Sequence, residues 1–233
     1  PADWTYAKAR ELLFFLLTHG PASKERIGLA LWPDADAALV RQQLHPALHA
    51  LRRALGASDW VLFERGCYRF NRERAYSYDV AAFEATLAQA RQALTAAPDA
   101  PGQAISLLEN AVRKYRGDFL ASEAGPAAGE WIAAYRAGLR QRWLDANALL
   151  AGLYISTGDH ARAVTIYRRL IEADPYQEQA HRTLMLLLAR LGERAQALRH
   201  FESLTRLLRE ELATEPAPET AALAEALRSG AQV

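Results

Sequence analysis

The chain has 233 residues, 51% of them hydrophobic and 24% charged, with 28 basic against 27 acidic side chains and a formal charge of +1. That balance fits a soluble protein with a buried core, excludes disorder over the whole chain, and gives no global demand for a nucleic-acid or acidic partner. The single Cys67 excludes an intramolecular disulfide and fits a reducing, cytoplasmic setting, and no apolar run reaches the roughly 20 residues that span a bilayer. No signal-peptide pattern opens the chain, while Pro1 at the start and Met185 as the only methionine point to a piece of a longer protein.

In chain order, residues 7–18 carry Leu12, Leu13, Leu16 and Leu17 on one helical face, and His19-Gly20-Pro21 ends that helix. Ser23 is a predicted N-cap for a second helix that runs through Leu29 and Leu31 and stops at Pro33. A third helix, over about 37–55, is capped by Asp34 or Asp36, with Leu44, Leu48, Leu51 and Leu55 as one buried stripe and Gly56 at its end. WVLFERGCYRF (60–70) then reads as a hairpin turning at Arg65-Gly66. Helix, helix, helix, hairpin is the order of a winged helix. Residues 1–78 hold eleven basic and eight acidic side chains, and the segment 37–58 holds Arg41, His45, His49, Arg52 and Arg53 with no acid. A local basic face of this kind is what a small nucleic-acid site requires.

Residues 79–233 are predicted almost wholly helical. Gly158, Ala163 and Tyr167 recur as Gly192, Ala197 and Phe201, each 34 residues on, and Ala104, Leu108 and Ala111 give a shorter echo. This is the period and grammar of the tetratricopeptide repeat, whose stacked helix pairs form a concave partner-binding surface. The fold expected is therefore mainly α: a winged helix-turn-helix over 1–78 followed by a TPR-like α-helical repeat domain over 79–233. Trp32 and Trp60 are expected in the first core and Trp131 and Trp143 in the helical stack, with Trp131, Ile132 and Tyr135 as an alternative exposed partner stripe. ASEAGPAAG (121–129) is expected to be a hinge.

YAKARELLFFLL (6–17), ALW (30–32), LRRALG (51–56), YRF (68–70), YDVAAFE (78–84), YRGDFL (115–120), GDHARAVTIYRRLIEADP (158–175) and ELATEPAPET (211–220) lie in one order along the chain. In these segments the sequence resembles the Streptomyces-antibiotic-regulatory-protein (SARP) type of transcription factor, an OmpR-type winged helix followed by a bacterial transcriptional activator domain (BTAD). The resemblance implies a bacterial, sequence-specific DNA-binding regulator, taken as an activator, or the output region of a larger signalling regulator. It implies double-stranded DNA as partner of the first domain, and oligomerisation as a homodimer or contact with RNA polymerase or another protein through the second. Two departures stand out: only six residues precede the first helix, where the family places a small antiparallel sheet, and Pro46 falls inside the third helix.

By the same resemblance the third helix is the recognition helix. Gln43 and His45 are the expected base readers, since glutamine pairs with adenine and histidine donates to guanine acceptors. Arg41, Gln42, His49 and Arg52 are the expected phosphate contacts, Arg53 is either a phosphate contact or a plain solvated residue, and Arg65 at the wing tip either reaches a phosphate or a minor groove or is a plain exposed turn residue. Pro46 either bends this helix or begins a second segment. The rival reading is a TPR-type interaction scaffold whose winged helix has lost DNA binding.

No catalytic chemistry emerges. His45 and His49 have the i, i+4 spacing of zinc ligands but no third ligand nearby, and there is no GxxxxGK[ST], no GxGxxG and no nucleophile paired with a base. Cys67 reads as a small core residue. The expectation is a protein that is not an enzyme, with no metal, no cofactor and no membrane partner.

Overall fold

The computed structural model describes residues 6–121 and 130–230, which divide into two compact units: Pro1–Tyr78 with Asp118–Gly138, and Asp79–Gly117 with Leu139–Val233. Trp4 and the expected hinge from residue 122 onward lie outside the described residues.

Unit 1 begins with α1 (Ala7–His19), β1 (Ala22–Ser23), α2 (Lys24–Leu31) and α3 (Ala37–Ala54), then a 3-10 turn (Ser58–Trp60), β2 (Val61–Glu64) and β3 (Cys67–Phe70). The caps are side chains placed where the backbone needs acceptors. Ser23 Oγ accepts from the Arg26 amide at 3.3 Å, and Asp36, rather than Asp34, accepts from the Ala38 and Leu39 amides at 2.9 and 2.8 Å. α3 buries Leu44, Leu48 and Leu51 together with Val40 and Ala47. It runs unbroken through Pro46, which excludes a second helical segment starting there. Pro46 and Gln42 are both exposed, so solvent can reach the Gln42 carbonyl that the proline leaves without a donor.

The sheet is antiparallel in the order β1-β3-β2, with Ala22 opposite Tyr68 and Val61 opposite Phe70. β1 has only two residues, too few to show an alternating pattern, so sequence periodicity does not find it. Cys67 lies on β3 half exposed rather than in the core. The base of the hairpin is fastened by Asn71, whose amide donates to Trp60 O at 2.8 Å and whose Nδ2 donates to Asp59 O at 3.0 Å.

α2 and α3 meet at Gly28 and Val40. A Cβ on Gly28 would stand 2.8 and 2.9 Å from the two Val40 methyl carbons, so this crossing is open only to a residue without a side chain. Gly28→Ala should lower stability by about 1–2 kcal/mol despite alanine's better helix propensity. Thermal unfolding checks this, and the same substitution should cost less when Val40 is alanine.

The segment 118–138 belongs to unit 1 for a packing reason. Phe119 is buried against Phe14 and Tyr135, with ring centroids 5.7 and 5.0 Å apart. Trp131 sits edge-on to Phe15 at 5.4 Å and donates its indole N–H to the buried Glu11 carboxylate at 3.2 Å. Lys8 completes that acid from 2.7 Å. Trp131 thus packs neither in the helical stack nor in an exposed stripe, and Ile132 beside it is buried. The aromatic pocket offered by α1, more than a hundred residues earlier, decides its place. Trp32 and Trp60 pack against the unit 1 core as expected.

Unit 2 holds α4 (Asp79–Ala96), α5 (Gly102–Lys114), the part of α6 (Glu130–Ser156) from Leu139 on, α7 (His160–Ala173), α8 (Glu178–Arg190), α9 (Arg194–Leu207), a π turn (Leu208–Leu212) and α10 (Pro218–Ser229). The 34-residue repeat is visible in its geometry: Gly158 and Gly192 turn with φ of +80° and +79°, and Ala163 and Ala197 are both completely buried. Positive φ is why both turns carry glycine. Trp143 stacks on Tyr115 of the YRGDFL segment, with centroids 5.2 Å apart.

His181 on α8 and His200 on α9 stack with centroids 4.9 Å apart and are packing residues. The Pro175 carbonyl, 3.0 Å from His181 Nε2, can only accept, so His181 carries its proton there. At neutral pH, where burial disfavours the charged form of both rings, its Nδ1 is bare and accepts from His200 Nε2 at 2.9 Å. Burial, followed by the neighbouring His181 and Arg168, pushes the His200 pKa down to about 4, and burial lowers that of His181, opposed first by its bond to the Pro175 carbonyl and then by Glu178 and Asp174. The unfolded chain therefore binds more protons between about pH 6.5 and pH 4, so stability present above that window falls as the pH drops through it. Denaturation at pH 7 and pH 5 should show a smaller loss for His200→Phe than for the native chain.

Candidate nucleic-acid interface

α3 presents one open face. Arg41, Gln42, His45, Pro46, His49 and Arg53 are exposed, and the steps 41, 45, 49, 53 form a stripe about 18 Å long at the helix rise of 1.5 Å per residue. None of Arg41, His45, His49 or Arg53 has a hydrogen-bond or ion-pair partner among the described residues. The one acid at the helix start, Asp36, is committed to the Ala38 and Leu39 amides. A helix about 10–12 Å across with free cations and amides on one face matches the size of a major groove.

Two sequence-predicted residues sit differently. Gln43 is half buried, at the edge of the face. Arg52 is half buried, and its Nη2 donates to the Val61 carbonyl at 2.8 Å, with Nε buried and without a partner. Arg52 therefore ties α3 to the first strand of the wing instead of standing free. Spacing alone could not reveal this, because the partner is a backbone carbonyl nine positions away in the hairpin.

The wing turns at Arg65 and Gly66, with φ of +51° and +78°. Two successive positive φ values make the tight turn whose twist matches paired strands. Arg65 is exposed at the tip. Arg69 binds Glu64 through two hydrogen bonds of 2.9 and 3.0 Å, which hold the Glu64 carboxyl below its usual range. Arg74 donates to Asp59 and lies 4.4 Å over the Trp60 ring, and Arg72 donates to Leu17 O at 2.8 Å. These three arginines brace the hairpin, leaving Arg65 as the one without a hydrogen bond or ion pair among the described residues, though close enough for its charge to act on Glu64. Phe63 on β2 is 58% exposed, a feature that sequence alone did not single out.

Among the described residues no three His, Cys, Asp or Glu side chains come together as a metal site, and no helix is long and apolar enough to cross a membrane.

The profile of the family described as "Bacterial transcriptional activator domain" matches residues 78–228. The Regulatory protein AfsR of Streptomyces griseus is 32% identical over 197 residues, 83% of this chain and 19% of that protein. The protein of the same name from Streptomyces coelicolor is 34% identical over 119 residues, 48% of this chain and 11% of that one. The chain thus spans at most about a fifth of the length of these relatives. Among solved structures, Mycobacterium tuberculosis EmbR in complex with a low affinity phosphopeptide covers 97% of this chain and 60% of its own at a TM-score of 0.72 and 20% identity, a likeness of fold.

Proposed function

The chain belongs to the bacterial transcriptional activator domain family, and we propose that it acts as a transcriptional regulator of the SARP type whose unit 1 binds duplex DNA through α3 and the wing. The observation that carries this reading is the acid-free stripe of Arg41, His45, His49 and Arg53, exposed and without partners. In this reading α3 lies in the major groove, with His45 and the edge residue Gln43 toward base edges. Arg41, Gln42, His49 and Arg53 hold phosphates on either side, and Arg65 reaches a phosphate or the minor groove. Arg52 sets the distance between helix and wing by holding the Val61 carbonyl.

Unit 2 supplies the protein contacts, with a second copy of the chain or RNA polymerase as partner. The residue range 1–78 is the DNA-binding region, and 79–233 carries the activator domain, from which Phe119 and Trp131 pack back on α1.

Selection of bound duplexes from a random pool tests the reading. The native chain should enrich a shared short site. His45→Ala should change which bases are enriched, whereas Arg53→Ala should weaken all duplexes alike. Enrichment of no site by the native chain would leave the interaction-scaffold reading in its place.

A further inference from the structure

The wing has two unlike faces. Val61 and Phe63 alternate with Leu62 and Glu64 along β2, and opposite them on β3 stand Phe70 and Tyr68, then Arg69 and Cys67. On one face lie Leu62, Cys67 and the mutually bonded Glu64 and Arg69. On the other, Val61 and Phe70 are buried in the core of unit 1, and Tyr68 packs partly against it. Phe63 continues this core-side face about 7 Å farther toward the tip, past the place where Arg52 of α3 grips Val61. There its ring meets that of Tyr68, with centroids 4.7 Å apart, and it remains 58% exposed. Among the described residues it is the most exposed aromatic of the large hydrophobic side chains left open to solvent, and it lies two residues before the exposed Arg65 at the tip.

We infer that Phe63, backed by Tyr68, is an apolar contact for the sugar–phosphate backbone of duplex DNA, its ring packing on deoxyribose C–H groups between the helix and the wing tip. The inference rests on the DNA-binding reading. Two observations select this occupant. Arg65, two residues beyond Phe63 at the exposed tip, makes no hydrogen bond or ion pair among the described residues. The one acid of the wing, Glu64, faces the opposite side and is neutralised by Arg69. An exposed apolar ring beside a cationic tip, on the hairpin of the proposed interface, suits a partner that is polyanionic outside and apolar at its sugars, as a duplex backbone is. Such a contact adds affinity without neutralising a phosphate, so it carries no counterion term.

The test compares the native chain, Phe63→Thr and Arg65→Ala for binding to one labelled 20-base-pair duplex over a range of salt. Phe63→Thr, which keeps a strand-favouring residue, should weaken binding about five- to tenfold at every salt concentration. Its log–log salt slope should match the native one, while Arg65→Ala should flatten the slope by about one unit. Phe63→Trp should retain binding and show a blue-shifted emission on duplex addition that the native chain lacks, and it carries the test if threonine loosens the hairpin. Unchanged affinity of Phe63→Thr with its unfolding midpoint preserved, or no emission shift in Phe63→Trp, would overturn the inference while native binding stands. Failure of the native chain to bind any duplex would instead remove the reading beneath it.

Discussion

Replacing Arg41 and Arg53 together by alanine should weaken binding to any duplex by about fiftyfold at 0.1 M salt and flatten the log–log salt dependence by about two units. Each phosphate neutralised releases condensed counterions with a slope of about 0.9, which corresponds to roughly eightfold in affinity per contact at that salt concentration. The two arginines lie three helical turns apart on the exposed face, so they would touch separate phosphates and their effects should add. Neither has a partner within the described residues, and alanine favours a helix, so thermal stability should hold. Arg52→Ala separates positioning from contact. It removes the bond to Val61 O, and its effect should include a loosened wing, seen as faster amide exchange in β2 and β3. A double variant that binds as tightly as the native chain would take α3 out of the interface.

The second large effect concerns the end of unit 2. Glu178→Ala should lower stability by about 2–3 kcal/mol, or roughly 5–10 °C in the melting of a chain of this size. The Glu178 carboxylate accepts the Ala217 amide at 2.9 Å and the Thr220 hydroxyl at 2.7 Å, so it caps the start of α10 from α8. Thr220 is completely buried and also takes a bond from Arg182 at 3.0 Å. Removing the acid leaves a buried hydroxyl and an amide at the helix entry without their charged acceptor. Glu178→Gln keeps the acceptor oxygen and should lose about half as much. Hydrogen exchange should localise the damage to 217–229. Equal melting of Glu178→Ala and the native chain would show that α10 docks through its apolar side alone.

This pair of groups also explains a piece of sequence that helix rules leave bare. In EPAPET, Glu215 pairs with Arg209 at 2.8 Å, Pro218 opens α10, and Ala217 and Thr220 meet Glu178. The motif is a docking device whose partner lies about forty residues earlier, so no local pattern reveals its purpose. What was legible followed local rules. The Ser23 cap, the Asp36 cap, the leucine stripe of α3, the Arg65-Gly66 turn and the 34-residue repeat each depend on neighbours within a few positions or on a fixed period. What was not legible depended on distant partners: the two-residue β1, the seat of Trp131 on Glu11 and Phe15, the closeness of Gly28 to Val40, and the grip of Arg52 on Val61. The open face of α3 came through because it is defined by the absence of apolar and acidic residues, which the sequence displays directly. Arg52 shows the boundary of that method, since charge on a helix does not say whether a neighbouring carbonyl has already claimed it.

The most direct measurement is fluorescence anisotropy of the chain on a pool of short duplexes, repeated from about 50 to 300 mM salt. Binding that weakens with a log–log slope of about −3 is predicted, one phosphate each for Arg41, Arg53 and Arg65. No binding at the lowest salt, from a chain whose circular dichroism and melting are intact, would contradict DNA binding by unit 1.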